Sequence, residues 1–218
     1  MTISRTPDEM NILIEDQVLK QCRQFKYLGV MFSEENNSKI EIDHRIIKFN
    51  NNLRMLYPLL KDRYIPRKVK TLIYSSILKP ILMYGHESWA LTTKTKSQLQ
   101  AAEMRVLRLI KGVTRLDRLR NDDIRRELGI EGILETIERG QLRWYGHVNR
   151  MDNSRYPRQF LEWMPDGRRP VGRPRVRWKD NIKMAIERRG ATIREVEQRE
   201  TFLDRDEWRY FCRMRQDD

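Results

Sequence analysis

Arginine and lysine supply the densest chemistry in this sequence. Arg168, Arg169, Arg173, Arg175, Arg177 and Lys179 fall within twelve residues, interleaved with Pro170, Gly172, Pro174 and Trp178. A guanidinium grips phosphate through two parallel N–H groups and stacks on bases, and an indole adds a further stacking face. Proline and glycine favour an extended backbone from which such side chains can follow a groove. A second set, Arg139, Arg143, His147 and Arg150, recurs at steps of four, four and three, which places it along one flank of a helix. A solvated loop or a nuclear-localisation signal would have a similar composition. The helix flank beside it favours nucleic-acid contact.

Other chemistry is sparse. Asp122 and Asp123 form an adjacent acidic pair, but a two-metal site needs such a pair on a strand turn with a third carboxylate nearby. Here the pair opens a short helix, where carboxylates satisfy the free N–H groups and the dipole. His44, His86 and His147 lie far apart, and no Ser, Cys or Thr stands in a nucleophile elbow. Neither a metal-ligand spacing nor a phosphate-cradling glycine loop occurs, so no cofactor is expected in this chain. Gly172-Arg173-Pro174 is similar to the centre of an AT-hook, with Val171 where such hooks carry a basic residue.

The charge is unevenly spread. Lys and Arg total 44 against 31 Asp and Glu, a net of +13 on 218 residues. Between Arg139 and Arg189 there are 14 basic and 5 acidic residues, so that stretch holds +9 of the total. A polyanion is the expected partner, rather than a small acidic metabolite. Cys22 and Cys212 are too few for a disulfide framework or a zinc site and imply a reducing compartment. The apolar run Ile77 to Tyr84 is broken by Lys79 and Pro80, and the first ten residues lack the apolar core of a signal peptide. An intracellular protein, nuclear or cytoplasmic, with no membrane association is therefore expected.

The elements that must position these residues are mostly helices. Ile12 to Leu19 reads as a short hairpin turning at Glu15-Asp16, and Phe25 to Phe32 as a further strand in which Gly29 marks a bulge or close approach. Ser38 and Glu41 are spaced as a capping box. Ile42, Ile46, Phe49, Leu53, Leu56 and Leu60 then share one helical face, which Pro58 ends or kinks. Pro66 suits the first position of a second helix with Val69, Leu72, Ile73 and Ile77 as its apolar stripe and a kink at Pro80. Thr95 and Gln98 are spaced as a box for a third, with Leu99, Ala102, Val106, Leu109 and Val113 facing inward. A short helix from Asn121 to Leu128 closes at Gly129. The next carries Ile133, Ile137, Trp144, Val148 and Met151 on one face, with Gly140 and Gly146 implying close packing or ligand approach. Residues 157–174 read as a loop, and helices resume at 177–189 and after Thr192 and Asp204. The expected fold class is mainly α with a small N-terminal antiparallel β element (α+β).

Six segments in order resemble a known family: FKYLGVMFSEEN, LIYSSILKPILMYGHESWAL, LQAAEMRVLRLIKGVTRLDRLRNDDIRREL, QLRWYGHVNRM, GRRPVGRPRVRWKD and LDRDEWRYF. Together, over about residues 12–215, they are similar to the C-terminal part of reverse transcriptases of LINE-type (non-LTR) retrotransposons. The resemblance implies a palm-edge hairpin over 1–36, a thumb-like three-helix bundle over 37–116, and a basic helical C-terminal extension over 117–218 with an Arg/Pro/Gly loop at about 155–177. It implies a primer-grip role for Phe25, Tyr27, Leu28 and Gly29, and tracking of duplex phosphates by Arg45, Lys48, Arg105 and Arg108. Arg139, Arg143, His147, Arg150, Arg168, Arg169, Arg173, Arg175, Arg177, Trp178 and Lys179 would bind nucleic acid in the extension.

That family carries its catalytic aspartates in a Tyr-x-Asp-Asp hairpin upstream of the primer grip, and no such motif stands in these 218 residues. The expectation is a remnant or fragment of an RNA-directed DNA polymerase that starts just past the catalytic hairpin and binds RNA and DNA without catalysis. Mg²⁺ is expected only for the full-length polymerase. Two alternatives differ in class: an active reverse transcriptase as part of a longer or complemented polypeptide, and a domesticated protein-interaction module with a nuclear-localisation loop.

Overall fold

The computed structural model describes residues 11–15, 17–35, 37–163 and 176–214. The chain is mainly helical with two small antiparallel strand pairs at its N-terminal end, as the sequence pattern predicts. It divides into two compact units. One holds the residues up to Gly85 together with Thr93–Glu131, and the other holds His86–Thr92 with the residues from Gly132 onward.

In the first unit, β1 (Leu13–Ile14) pairs with β2 (Gln17–Val18), and β3 (Gln24–Tyr27) pairs with β4 (Val30–Ser33). The run from Phe25 to Phe32 is thus a hairpin and not one strand. Leu28 and Gly29 both adopt positive φ, +47° and +83°, the twist that joins two right-twisted strands in a two-residue loop. α1 (Ser38–Lys61) buries Ile42, Phe49, Leu53 and Leu60, with Ile46 and Leu56 half-buried, and Pro58 sits in its last turn. Its cap is Asn37, whose side chain accepts from Lys39 N–H. Glu41 does not close a box with Ser38. It is buried, takes Met31 N–H at 2.6 Å and pairs with Arg45, tying β4 to the helix.

The second helical stretch departs most from its pattern. α2 (Arg67–Ile73) follows Pro66, which is the residue before the helix, then widens into a π-turn (Tyr74–Leu78) before α3 (Lys79–Met83). Pro80 has no N–H to give Ser76 and its ring crowds that carbonyl, so the ladder is relieved in the turn just ahead. The buried face recurs at steps of four from Lys70, so it is already set in α2, ahead of the π-turn. Tyr74, Leu78 and Leu82 face the core, while Val69, Leu72 and Ile77 of the expected stripe are exposed. α4 (Thr93–Lys111) buries Leu99, Ala102, Val106 and Ile110, and Thr95 lies inside it as a buried residue instead of capping it. α5 (Asn121–Leu128) ends at left-handed Gly129 (φ +64°), and packs through Arg125 onto Glu103 of α4.

The second unit is built on α6 (Ile133–Asn149). Gly140 and Gly146 are there for close packing: a Cβ at Gly140 would stand 2.1 Å from His86 Nε2, and one at Gly146 would stand 2.1 Å from Trp208 Nε1. Trp144, expected inward, faces solvent. Tyr145 takes the core position beside Trp208, Phe202 and Trp178. Residues 156–162 form a helix, α7 (Tyr156–Glu162), where a loop is expected. Pro157 in its first turn starts the helix because the N–H it lacks has no partner there anyway. α8 (Trp178–Glu187), α9 (Ile193–Gln198) and α10 (Arg205–Phe211) complete the core, with Thr192 and Glu195 forming a capping box and Asp204 accepting from Asp206 and Glu207 N–H.

Side chains from α6 and α8 bind the His86–Thr92 segment into this unit. Gln141 Nε2 donates to the carbonyls of His86 (3.0 Å) and Trp89 (2.7 Å), and Trp178 Nε1 donates to Glu87 O at 2.6 Å. Asn181 both accepts from Leu91 N–H and donates to Leu91 O, as a neighbouring strand would. Among the described residues no helix is long and apolar enough to cross a membrane.

Candidate nucleic-acid interface

α1 and α4 cross in the first unit with an open groove of about 870 Å³ between them. Asn50, Leu53, Arg54 and Tyr57 come from one helix. Gln100, Ala101, Met104, Arg105, Arg108 and Leu109 come from the other, and Val113, Thr114, Arg115 and Asn121 close the end. Helical spacing accounts for this face: 50, 54 and 57 on α1 and 97, 101, 104, 105 and 108 on α4 recur at three and four. The floor is apolar and the rim carries four arginines. Among the described residues no acidic side chain lines the groove.

Neutral partners hold the two central arginines. Arg105 Nη1 donates to Asn50 Oδ1 at 2.8 Å, and Arg108 Nη2 donates to Asn121 Oδ1 at 2.8 Å and to Leu119 O at 3.3 Å. The Arg108 Nε is buried with no acceptor. These bonds fix the guanidinium groups without neutralising them. The surrounding cations differ: Arg125 is paired with Glu103 and Asp122, Lys111 and Arg67 with Glu127, Arg126 with Asp123 and Lys39 with Asp43. Among the described residues none of Arg54, Arg105, Arg108 and Arg115 has a carboxylate partner.

The groove's end is shaped locally. α4 stops at Gly112 (φ +79°), whose N–H returns to Arg108 O and Leu109 O. Thr114 then donates its N–H and hydroxyl to Asp117, which holds that carboxyl below the usual range and turns the chain past Arg115. Beneath lies a buried network. Glu103, fully shielded, accepts Tyr74 OH at 3.2 Å and two Arg125 bonds at 3.1 and 2.7 Å. Burial and then the Glu103 charge push the Tyr74 hydroxyl far up, so it remains a donor.

Arg105 and Arg108, named from the sequence, are brought together here. Arg45 and Lys48 are elsewhere. Arg45 is only 4% exposed, paired with Glu41, donating to Gly29 O at 2.5 Å and lying 4.5 Å over the Tyr84 ring. Its guanidinium therefore supports the β3–β4 turn from inside and is not presented to a ligand. Lys48 is half-buried on a different face of α1. Arg54 and Arg115 are groove residues that the sequence reading missed. The three-and-four spacing from Asn50 and Tyr57 could have found Arg54, but only once α4 was known to face α1.

The β3–β4 turn is held firmly and its apolar side chains are free. Tyr84 OH donates to Leu28 O at 2.8 Å, and the Tyr84 ring lies against Gly29. Phe25, Tyr27 and Leu28 are exposed, Leu28 by 75% despite its left-handed backbone.

In the second unit Arg139 and Arg143 lie on α6 and Arg150 ends it. All three, with Arg189, draw the Cys212 thiol downward, although burial dominates and pushes it up to about 11. Arg143 and His147 are exposed, with Trp144 and His147 rings 5.4 Å apart, while Arg150 is half-buried and donates to Phe202 O at 2.6 Å. The Trp178 indole is half-buried, packs against the core cluster and donates its N–H to Glu87 O. Arg177 is exposed with its N–H capped by Asp180, and Lys179 pairs with Glu197 at 3.4 Å. Arg168, Arg169, Arg173 and Arg175 lie outside the described residues. Among the described residues no group of three His, Cys, Asp or Glu side chains could hold a metal ion.

No known family profile matches the chain, and no solved structure matches it. Over 200 residues the chain is 27% identical to a protein of Caenorhabditis elegans described as an uncharacterized transposon-derived protein, covering 87% of this chain and 70% of that one.

Proposed function

We propose that this chain is a nucleic-acid-binding part of a retrotransposon-derived reverse transcriptase, acting by holding RNA or DNA and not by chemistry of its own. The observation that carries the reading is the α1–α4 groove, with four arginines, no carboxylate and neutral amides fixing the central guanidinium groups. Uncompensated fixed positive charge in a concave site favours a polyanion, because each phosphate bound releases a condensed counterion. The similarity to a transposon-derived protein supports a transposon-related origin, and the ordered motifs support the LINE type.

On this reading α1, α4 and the helices between them serve as the thumb. The β3–β4 turn, clamped by Tyr84 and Arg45, presents Tyr27 and Leu28 as the grip. Arg143 and Arg177, both exposed, add further positive charge in the C-terminal extension, with His147 exposed one turn on from Arg143. A gel shift with an RNA/DNA hybrid, a DNA duplex and single strands at about 50 mM salt tests the reading. A shift with at least one of these that disappears when salt is raised severalfold is expected. Absence of any shift at low salt, with the protein folded, overturns it.

A further inference from the structure

We infer that the α1–α4 groove selects unpaired nucleic acid over duplex, with bases laid on its apolar floor and the backbone along its arginine rim. This rests on the nucleic-acid reading above and narrows it to a ligand class. The groove's two chemistries call for different parts of the ligand. Arg54, Arg105, Arg108 and Arg115 suit phosphates, but they surround a floor that includes Leu109 and the exposed Tyr57 ring. A duplex keeps its bases paired and stacked inside and offers such a floor only sugar and phosphate, leaving apolar surface unsatisfied. An unpaired strand offers a flat π-face for every base, whatever its identity.

The dimensions agree. The α4 residues that line the groove run from Ser97 to Leu109, which at about 1.5 Å per residue is roughly 18 Å of wall, room for a short run of nucleotides. Tyr57 is the aromatic residue among the described residues lining the site; it is 44% exposed, and the Lys61 ammonium lies 5.7 Å over its ring, so a stacked base would take the opposite face or displace that flexible side chain. The amide oxygens of Asn50 and Asn121 are engaged by Arg105 and Arg108, while Ser97 and Gln100 add a hydroxyl and an amide to the lining that base edges can meet.

The test uses the full chain and three probes of about twelve nucleotides or base pairs, namely oligothymidylate, oligouridylate and a mixed-sequence DNA duplex, titrated by fluorescence anisotropy. The expected result is that both single strands bind at least tenfold more tightly than the duplex. Tyr57→Ala should remove about tenfold of that advantage and Tyr57→Phe should retain it, since stacking needs the ring and not the hydroxyl. Unchanged thermal melting of both variants excludes misfolding, as the side chain is on the surface. If the duplex binds as tightly as the single strands, or Tyr57→Ala leaves the ratio unchanged, the inference is overturned while the nucleic-acid reading stands. If an acidic amphipathic peptide binds and none of the three probes does, both fail.

Discussion

Replacing Gly146 by Ala is the sharpest structural perturbation available. A methyl group there would stand 2.1 Å from Trp208 Nε1, 2.4 Å from Cδ1 and 2.8 Å from Cε2. Trp208 cannot simply swing aside. It is buried, stacks on Phe211 at 5.2 Å, meets Tyr145 at 6.1 Å and donates to Leu142 O at 2.9 Å. Overpacking costs about 1–3 kcal/mol, and loss of a buried hydrogen bond adds about 1–3 kcal/mol. The helix gains up to about 1 kcal/mol from exchanging glycine for alanine. The net expectation is destabilisation by about 3 kcal/mol, read from urea unfolding monitored by tryptophan fluorescence. A double-mutant cycle locates the cause: in a Trp208→Leu background the same substitution should cost close to nothing. If Gly146→Ala stabilises the protein, or costs the same in both backgrounds, the packing argument is wrong.

Three further outcomes follow from single contacts. Glu103→Leu strands Arg125 in the first unit's interior and should destabilise by about 3–5 kcal/mol, with much of the loss recovered in Glu103→Leu/Arg125→Leu when both are followed by denaturant unfolding. Trp178→Ala should lower stability by about 2 kcal/mol and leave nucleic-acid affinity unchanged, since its indole is bonded to Glu87 O; a large affinity loss at unchanged stability would restore it to the binding surface. For Cys212 the folded protein favours the neutral thiol, raised from 9.0 to about 11 by burial. Its contribution is complete below about pH 9 and is lost as pH rises towards 11, so Cys212→Ala should flatten the fall in stability over that window, measured as urea midpoint against pH.

Features set by neighbours in sequence were legible. Gly129 ends α5, Thr192 and Glu195 cap α9, and the α1 stripe buries as spaced, because each depends on residues within one or two turns. Features set at a distance were not. The inward face of α2 and α3, marked by Lys70, Tyr74, Leu78 and Leu82, is set by what packs on it and runs through a π-turn that periodicity cannot show. Leu28 in a left-handed turn breaks the Asn-Gly habit of two-residue hairpins, so a hairpin reads as one strand. Trp178 beside arginines has the look of a base-stacking residue, and the acceptor that explains it lies 91 positions away. Arg45 and Arg105 look alike in sequence. Only the packing of Tyr84 and Glu41 on one, and of Asn50 beside the other, separates a buried strut from a free cation.

The central claim is that the groove arginines bind phosphate, and the salt dependence of affinity tests it most directly. Each phosphate contact on a single strand contributes about 0.7 to the slope of log K against log salt. Replacing Arg54, Arg105, Arg108 and Arg115 together by Ala should therefore weaken binding steeply at low salt and reduce the slope by about 3, with the fold intact by circular dichroism. An unchanged affinity and slope would place the binding elsewhere on the chain and contradict the account.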